Sequence, residues 1–275
     1  MKRRMILAGL ATAMLALPAG AALAQDNTMA QIRDNGVLRV GVTQAPPWYS
    51  KDPISGNWNG GLGVSMGQAM ADALGVTFEP VEVTWGTAVA ALQANRIDLM
   101  YVLDATDERR QALAFPETPL LYYSLAILAR DDLEVSDWAD LNQPGIRISV
   151  PQATSMDAFL TAHVPDADIQ RFPGNAEAIA AFQAGRVDAV TLFHPPLIAA
   201  RQRLGRGQII VPQPVESRPS SVGLRQEEST EFLDWVNEQI GEYYQSGQTQ
   251  EWYEEFLTEF GLDPASVPPI MRERL

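Results

Sequence analysis

Arg109 is the residue best equipped for recognition, because a guanidinium presents a planar fork of donors able to grip one carboxylate through two parallel hydrogen bonds. It closes the run Thr106, Asp107, Glu108, Arg109. The residues alone leave a second reading open, that of an exposed helical arginine paired with Asp107 or Glu108, and Arg110 stands next in line if the register slips. Thr154 and Asp157 form a T-x-x-D pattern behind the segment ISVPQA. That pattern predicts a helix whose first turn is capped by the threonine hydroxyl, and a helix N-terminus also favours an anion. Asp104, five residues before Arg109, either faces a cation or caps the following turn.

Covalent and metal chemistry find less support. Gly63 to Gly67 reads GVSMG and matches the G-x-S-x-G of a nucleophile elbow. An elbow needs a histidine and an acid later in one hydrolase sheet, whereas the chain carries only His163 and His194, both in its second half. Two isolated histidines and no cysteine supply no ligand cluster for a metal ion. The expectation is therefore no catalytic residue, no metal and no cofactor.

The first residues read MKRR, an apolar run from Met5 to Leu17, then Ala22-Leu23-Ala24. This is the order of a secretory leader, with cleavage expected before Gln25. Gly9, Pro18 and Gly20 interrupt the run, which falls short of the roughly 20 apolar residues needed to span a bilayer. With no cysteine after it to carry a lipid, the exported protein is expected to be free in the periplasm rather than a lipoprotein. Removing Lys2, Arg3 and Arg4 from 20 basic residues leaves 17 against 34 acids. Such a surface is a poor partner for nucleic acid or for anionic membranes.

Two lobes are implied by an internal echo. ALQANRIDLM from Ala91 to Met100 returns as AFQAGRVDAV from Ala181 to Val190, displaced by 90 residues. Each copy predicts a helix end, a left-handed stop at Asn95 or Gly185, and a strand opening at Asp98 or Asp188. Around the first copy, strands at 37–42, 77–83 and 98–103 alternate with helices at 64–74 and 87–94. Around the second, strands at 146–150, 168–172 and 187–193 alternate with helices at 154–163 and 175–184. The class is α/β, each lobe a mostly parallel sheet flanked by helices. After a strand at 221–225, two terminal helices carry an apolar stripe that includes Trp235, Trp252 and Phe256, expected to dock into the core.

Taken together, GVLRVGV with PPW, the G-x-W-x-G-G segment from Gly56 to Gly61, IDLMYVLDATDERRQALAF, ISVPQAT, GRVDAV and FLDWVNEQIGEYYQSGQTQEWYEEF resemble the periplasmic solute-binding proteins that feed polar amino acids to ABC importers. The resemblance covers nearly all of the chain beyond the leader. It implies a two-lobed clamp of the type II-like periplasmic binding fold with a two-strand hinge. Lobe one would span 25–121 and 219–275, lobe two 122–218, with crossings near Pro119 to Ser124 and Pro214 to Val222. The ligand cleft would lie at the carboxyl ends of the strands.

The same resemblance gives Arg109 the ligand carboxylate and sets the Thr154 turn against the same group, with Ala153 where relatives carry glycine. Leu103, Asp104 and Ala105 occupy the loop that supplies hydroxyl and carbonyl contacts in relatives, one residue shorter here and without serines. Trp48, after Pro46 and Pro47, becomes an apolar cleft wall, since Gln44 and Ala45 replace the usual stacking aromatic. After GRVDAV, where relatives place an aspartate for the ligand's α-ammonium, this chain has Leu192, Phe193 and His194. An unpaired buried ammonium is costly, so the ligand is read as a carboxylate that can lack an α-amino group, with His194 either a donor to it or structural.

The expected function is the substrate-binding component of an ABC transporter, acting on a small carboxylate-bearing solute such as an amino acid or related organic acid. A dehydratase on the same scaffold, and a ligand-presenting partner of a membrane sensor kinase, are the alternatives. A monomer with a membrane permease as partner is expected.

Overall fold

The computed structural model describes residues 27–271; the leader and its cleavage point before Gln25 lie outside them. In the first sheet, the apolar residues of VLRVGV bury alternate positions of strand Val37–Val42. This strand pairs in parallel with Thr77–Glu82 on one side and Leu99–Tyr101 on the other. The order then continues through Val222–Arg225 to Leu113–Ala114, with Val222–Arg225 antiparallel to both of its neighbours. In the second sheet, Arg147–Pro151 lies in parallel between Asp168–Phe172 and Ala189–Phe193. Leu121–Ala129 then runs antiparallel to both Ala189–Phe193 and Gln208–Ile210.

Each sheet is therefore mostly parallel with one reversed strand, Val222–Arg225 in the first and Leu121–Ala129 in the second. The βαβαβ core of each is parallel because a helix returns the chain to the same edge. The antiparallel partners are the strands adjoining the crossings between sheets, which enter from the opposite direction. The crossing segments pair with each other, Ser217–Ser220 lying antiparallel to the start of Leu121–Ala129 so that Arg218 faces Tyr123. A tail segment adds a third strap, since the Tyr122 amide donates to the Ile270 carbonyl at 2.8 Å.

The sequence echo is a structural echo. Asp98 accepts from the Arg39 amide at 2.7 Å and from its guanidinium at 2.5 and 3.2 Å. Asp188 accepts from the Arg147 amide at 2.9 Å and its guanidinium at 2.8 and 3.1 Å. In each sheet one carboxylate ties the strand after the second helix to the first strand. Asn95 (φ 54°) and Gly185 (φ 69°) make the left-handed stops just before these acids.

Helix Leu62–Leu74 explains the GVSMG motif without catalysis. A Cβ on Gly63 would sit 2.3 Å from the Tyr49 ring, and one on Gly61, at φ 94°, would sit 2.7 Å from the Trp48 carbonyl. These glycines let the Trp48–Tyr49 segment lie directly on the helix start, where Leu62 and Gly63 amides donate to Pro47 and Trp48 carbonyls at 3.0 and 2.8 Å. Ser65 is simply a residue of the first helical turn. Helix Gln248–Glu259 packs against the same helix and brings the Tyr253 ring to 6.2 Å from that of Trp48. Phe256 is buried as expected, whereas Trp235 and Trp252 cover the rim of the core half-buried, because their wide rings face outward at the edge of the apolar stripe.

Candidate functional site

Between the sheets lies a small cavity of about 30 Å³, room for about one water molecule. Trp48, Trp85, Val102, Asp104 and Arg109 line it from the first sheet's side. Thr154, Ser155, Asn175 and Phe193 line it from the second, with Tyr123 on the crossing strand between them. Outward, the cavity meets a hollow of about 820 Å³ that shares Trp85, Arg109, Thr154 and Ser155 and is rimmed by Asp107, Glu108 and Arg171. A hollow of that size falls in the range of small-molecule sites.

Arg109 is held at this junction by its own turn. Thr106 caps helix Asp107–Arg110, accepting the Arg109 amide at 3.2 Å, and that places the guanidinium inward, 9% exposed. It donates to the Asp104 carbonyl at 3.0 Å and, across the cleft, to the Ala153 carbonyl at 3.1 Å. Arg110 points elsewhere, its guanidinium 5.5 Å from the Phe115 ring. Burial lowers the Arg109 pKa and the neighbouring Asp104 raises it again; a guanidinium keeps its proton throughout.

Asp104 is 5% exposed and accepts from the Tyr123 hydroxyl at one oxygen and from the Ser155 hydroxyl at the other. Burial first, and then the Asp104 charge, push the Tyr123 phenol far above its ordinary pKa. The phenol therefore stays a donor. The Asp104 side chain acts within the cleft rather than as a cap on its own turn.

Thr154 is the N-cap of helix Ser155–His163. Its oxygen accepts the Asp157 amide at 3.2 Å and its hydroxyl donates to the Pro151 carbonyl at 2.7 Å. The helix therefore begins at the cavity wall with its positive dipole end toward Arg109 and Asp104. Ala153 takes φ 56° and Val102 takes φ 58°. Left-handed backbone is unfavourable for any side chain and more so for a β-branched one, and both residues flank the cleft. Ala153 thus holds a backbone conformation that glycine adopts freely.

Five of the seven expected site residues, Arg109, Asp104, Thr154, Trp48 and Phe193, share the cavity. Ala105 lies instead on a neighbouring hollow with Arg110, Pro119 and Ser221. His194 is 5% exposed and outside the cavity lining. Its Nδ1 accepts the Ser124 amide at 3.2 Å and burial lowers its pKa to about 4. Trp85, Ser155 and Asn175 were not anticipated. All three begin or precede a helix just beyond a strand, which is where open α/β sheets bind ligands, and that position was their signal. The Trp85 indole N–H donates to Asn175 Oδ1 across the cleft at 3.0 Å. Among the described residues, no group of three histidine or acid side chains is placed to hold a metal ion, and no helix is long and apolar enough to cross a membrane.

Residues 38–259 match the family model of bacterial extracellular solute-binding proteins, family 3. The chain is 28% identical over 251 residues to the general L-amino acid-binding periplasmic protein AapJ of Rhizobium johnstonii, covering 86% of this chain and 72% of that one. It is 24% identical to the cyclohexadienyl dehydratase of Pseudomonas aeruginosa, covering 90% and 92%. Among solved structures it resembles the ancestral amino acid-binding protein AncCDT-1, described as a precursor of cyclohexadienyl dehydratase, with a TM-score of 0.76, 27% identity and coverage of 84% and 99%.

Proposed function

The chain belongs to the bacterial extracellular solute-binding proteins, family 3, and on that footing we propose that it is the periplasmic substrate-binding component of an ABC transporter. Lobe one, 25–121 with 219–275, and lobe two, 122–218, close about the paired crossing strands on a small zwitterion that carries a carboxylate. The observation that carries this reading is Arg109, a nearly buried cation whose fork already reaches from one side of the cleft to a carbonyl on the other. An incoming carboxylate takes over the Ala153 bond and gains the start of helix Ser155–His163. Trp48 and Phe193 form apolar walls. The Asp104 carboxylate belongs to the same cavity, so a ligand of zero net charge leaves the buried pair of Arg109 and Asp104 balanced. That favours a zwitterion over a plain carboxylic acid.

An enzymatic reading has support in the likeness to the dehydratase, and it needs a proton donor in the cleft. Asp104 accepts hydrogen bonds at both oxygens, and Asp188, its pKa lowered first by the hydrogen bond from Arg147, is tied into the second sheet. Neither is arranged to give up a proton. Turnover of a cyclic carboxylic acid by purified protein would decide for catalysis.

A thermal-shift screen of amino acids, keto acids, dicarboxylates and sugars tests the binding reading. A ligand at roughly 100 times its dissociation constant adds about 2.7 kcal/mol. Stabilisation by neutral sugars alone would sink it. Uptake in membrane vesicles bearing the cognate permease separates transport from presentation to a sensor.

A further inference from the structure

The cavity that Arg109 lines is built for a different cation than a primary ammonium. An α-ammonium is held by several oxygen acceptors, because it carries three N–H donors and each one left bare in a buried site is costly. Here the second sheet offers the side chains of Leu192 and Phe193 to that cavity. The Asp104 carboxylate already accepts from Tyr123 and Ser155. Asn175 Oδ1 already accepts the Trp85 indole, and the Thr154 hydroxyl donates within its own turn. What remains is about one further acceptor site on each Asp104 oxygen, fewer than the three that a primary ammonium needs.

Aromatic faces are plentiful instead. The Trp48 and Tyr123 rings lie 6.0 Å apart with their planes tilted by 43°, and the Tyr123 and Phe193 rings lie 3.7 Å apart, tilted by 37°. These three rings and the indole of Trp85 border the same cavity as the Asp104 carboxylate. Aromatic rings around one buried negative charge attract a diffuse cation that has no N–H to satisfy.

We propose that the ligand is an N-methylated zwitterion of the betaine class, its methylated ammonium seated among Trp48, Tyr123 and Phe193 beside Asp104 and its carboxylate on Arg109. The inference rests on the reading of Arg109 as the carboxylate holder. Methyl groups turn the missing hydrogen bonds into apolar contact, and the positive charge still meets Asp104 and the ring faces. The cavity as closed has room for about one water, so the ligand enters with the lobes apart and the rings close over it.

Isothermal titration of the exported form at neutral pH with matched pairs tests the proposal. The pairs are glycine with N,N,N-trimethylglycine, L-proline with N,N-dimethyl-L-proline, and L-tryptophan with N,N,N-trimethyl-L-tryptophan. 3,3-Dimethylbutyrate serves as the uncharged copy of trimethylglycine. In the pair of the right size the methylated member should bind at least tenfold tighter, and the uncharged copy at least tenfold weaker than trimethylglycine if that is the pair. Phe193→Leu should remove the preference within the pair, and Phe193→Tyr should retain it. Unmethylated members binding as tightly or tighter would overturn the proposal while leaving Arg109 its carboxylate. Binding of both members unchanged by Arg109→Ala, or no binding by any of these carboxylates, would overturn the carboxylate reading itself.

Discussion

Trp85 and Asn175 meet across the cleft at 3.0 Å, and they are separated by 90 residues, the same offset that relates ALQANRIDLM to AFQAGRVDAV. Each follows the second strand of its own βαβαβ unit. The two equivalent positions of the repeat therefore touch each other. Together with the Arg109 bond to Ala153 and the Ser155 bond to Asp104, this contact is a polar latch between the two sides.

Asn175→Ala strands the Trp85 indole N–H in the closed form and should cost that form about 1–3 kcal/mol. Small-angle scattering of the unliganded variant should show a larger radius of gyration, with the melting transition nearly unmoved. An unchanged radius with a much lower melting point would make Asn175 a fold residue and not a latch.

For Arg109, truncation to alanine should weaken carboxylate binding by at least about 2 kcal/mol, or roughly 30-fold, since a desolvated partner is left unpaired. Arg109→Lys keeps the charge and loses the fork, so titration calorimetry should place it between wild type and alanine. Equal affinities for the lysine variant and wild type would reduce the role of the guanidinium to charge alone.

Ala153 sits at φ 56°, a conformation glycine adopts freely. Ala153→Gly should raise unfolding stability by about 0.5–1 kcal/mol in urea denaturation, the relief of backbone strain exceeding the extra entropy of the unfolded chain. A loss of stability would show that the alanine methyl packs usefully.

Burial holds the His194 imidazole neutral down to about pH 4, and the Ser124 amide, donating to Nδ1, needs that ring lone pair free. The unfolded chain takes up the proton near pH 6.5. Stability should therefore be full above about pH 6.5 and fall as pH drops from there toward 4, by about 3 kcal/mol in all. Asp188, with its pKa lowered, contributes stability that is lost only below the ordinary aspartate range. Chemical denaturation at pH 7.5, 5.5 and 4.5 measures the slope. His194→Asn, whose side-chain oxygen can accept the same amide, should flatten it.

The sheets were legible because periodicity and repeats are local signals: VLRVGV, the Asn95 and Gly185 stops and the acids at Asp98 and Asp188 all stand where the sequence puts them. The direction of the added strands was not, since Leu121–Ala129 is apolar enough to sit either way round and only its route across the hinge makes it antiparallel. Arg109 was visible through its motif. Its partner across the cleft was not, nor that of Asp104, because Ala153 meets Arg109 and Ser155 meets Asp104 only where two separate units come together. For Asp104 the residues left two readings open, facing a cation or capping its own turn, and only the assembled cleft, where Tyr123 and Ser155 donate to it, favours the first.

Leu121–Ala129 is one unbroken strand that starts paired to the other crossing segment and ends in the middle of the second sheet. Tyr123 sits near the fulcrum of this lever, and Ser155 and Asn175 ride farther out on the arm. On the proposed closure, an opening swing would move the Tyr123 end least and keep the phenol by Asp104 while Ser155 and Asn175 leave. An arriving ligand would then meet a carboxylate and a ring already in position, and the outer contacts would record its arrival by the distance they move.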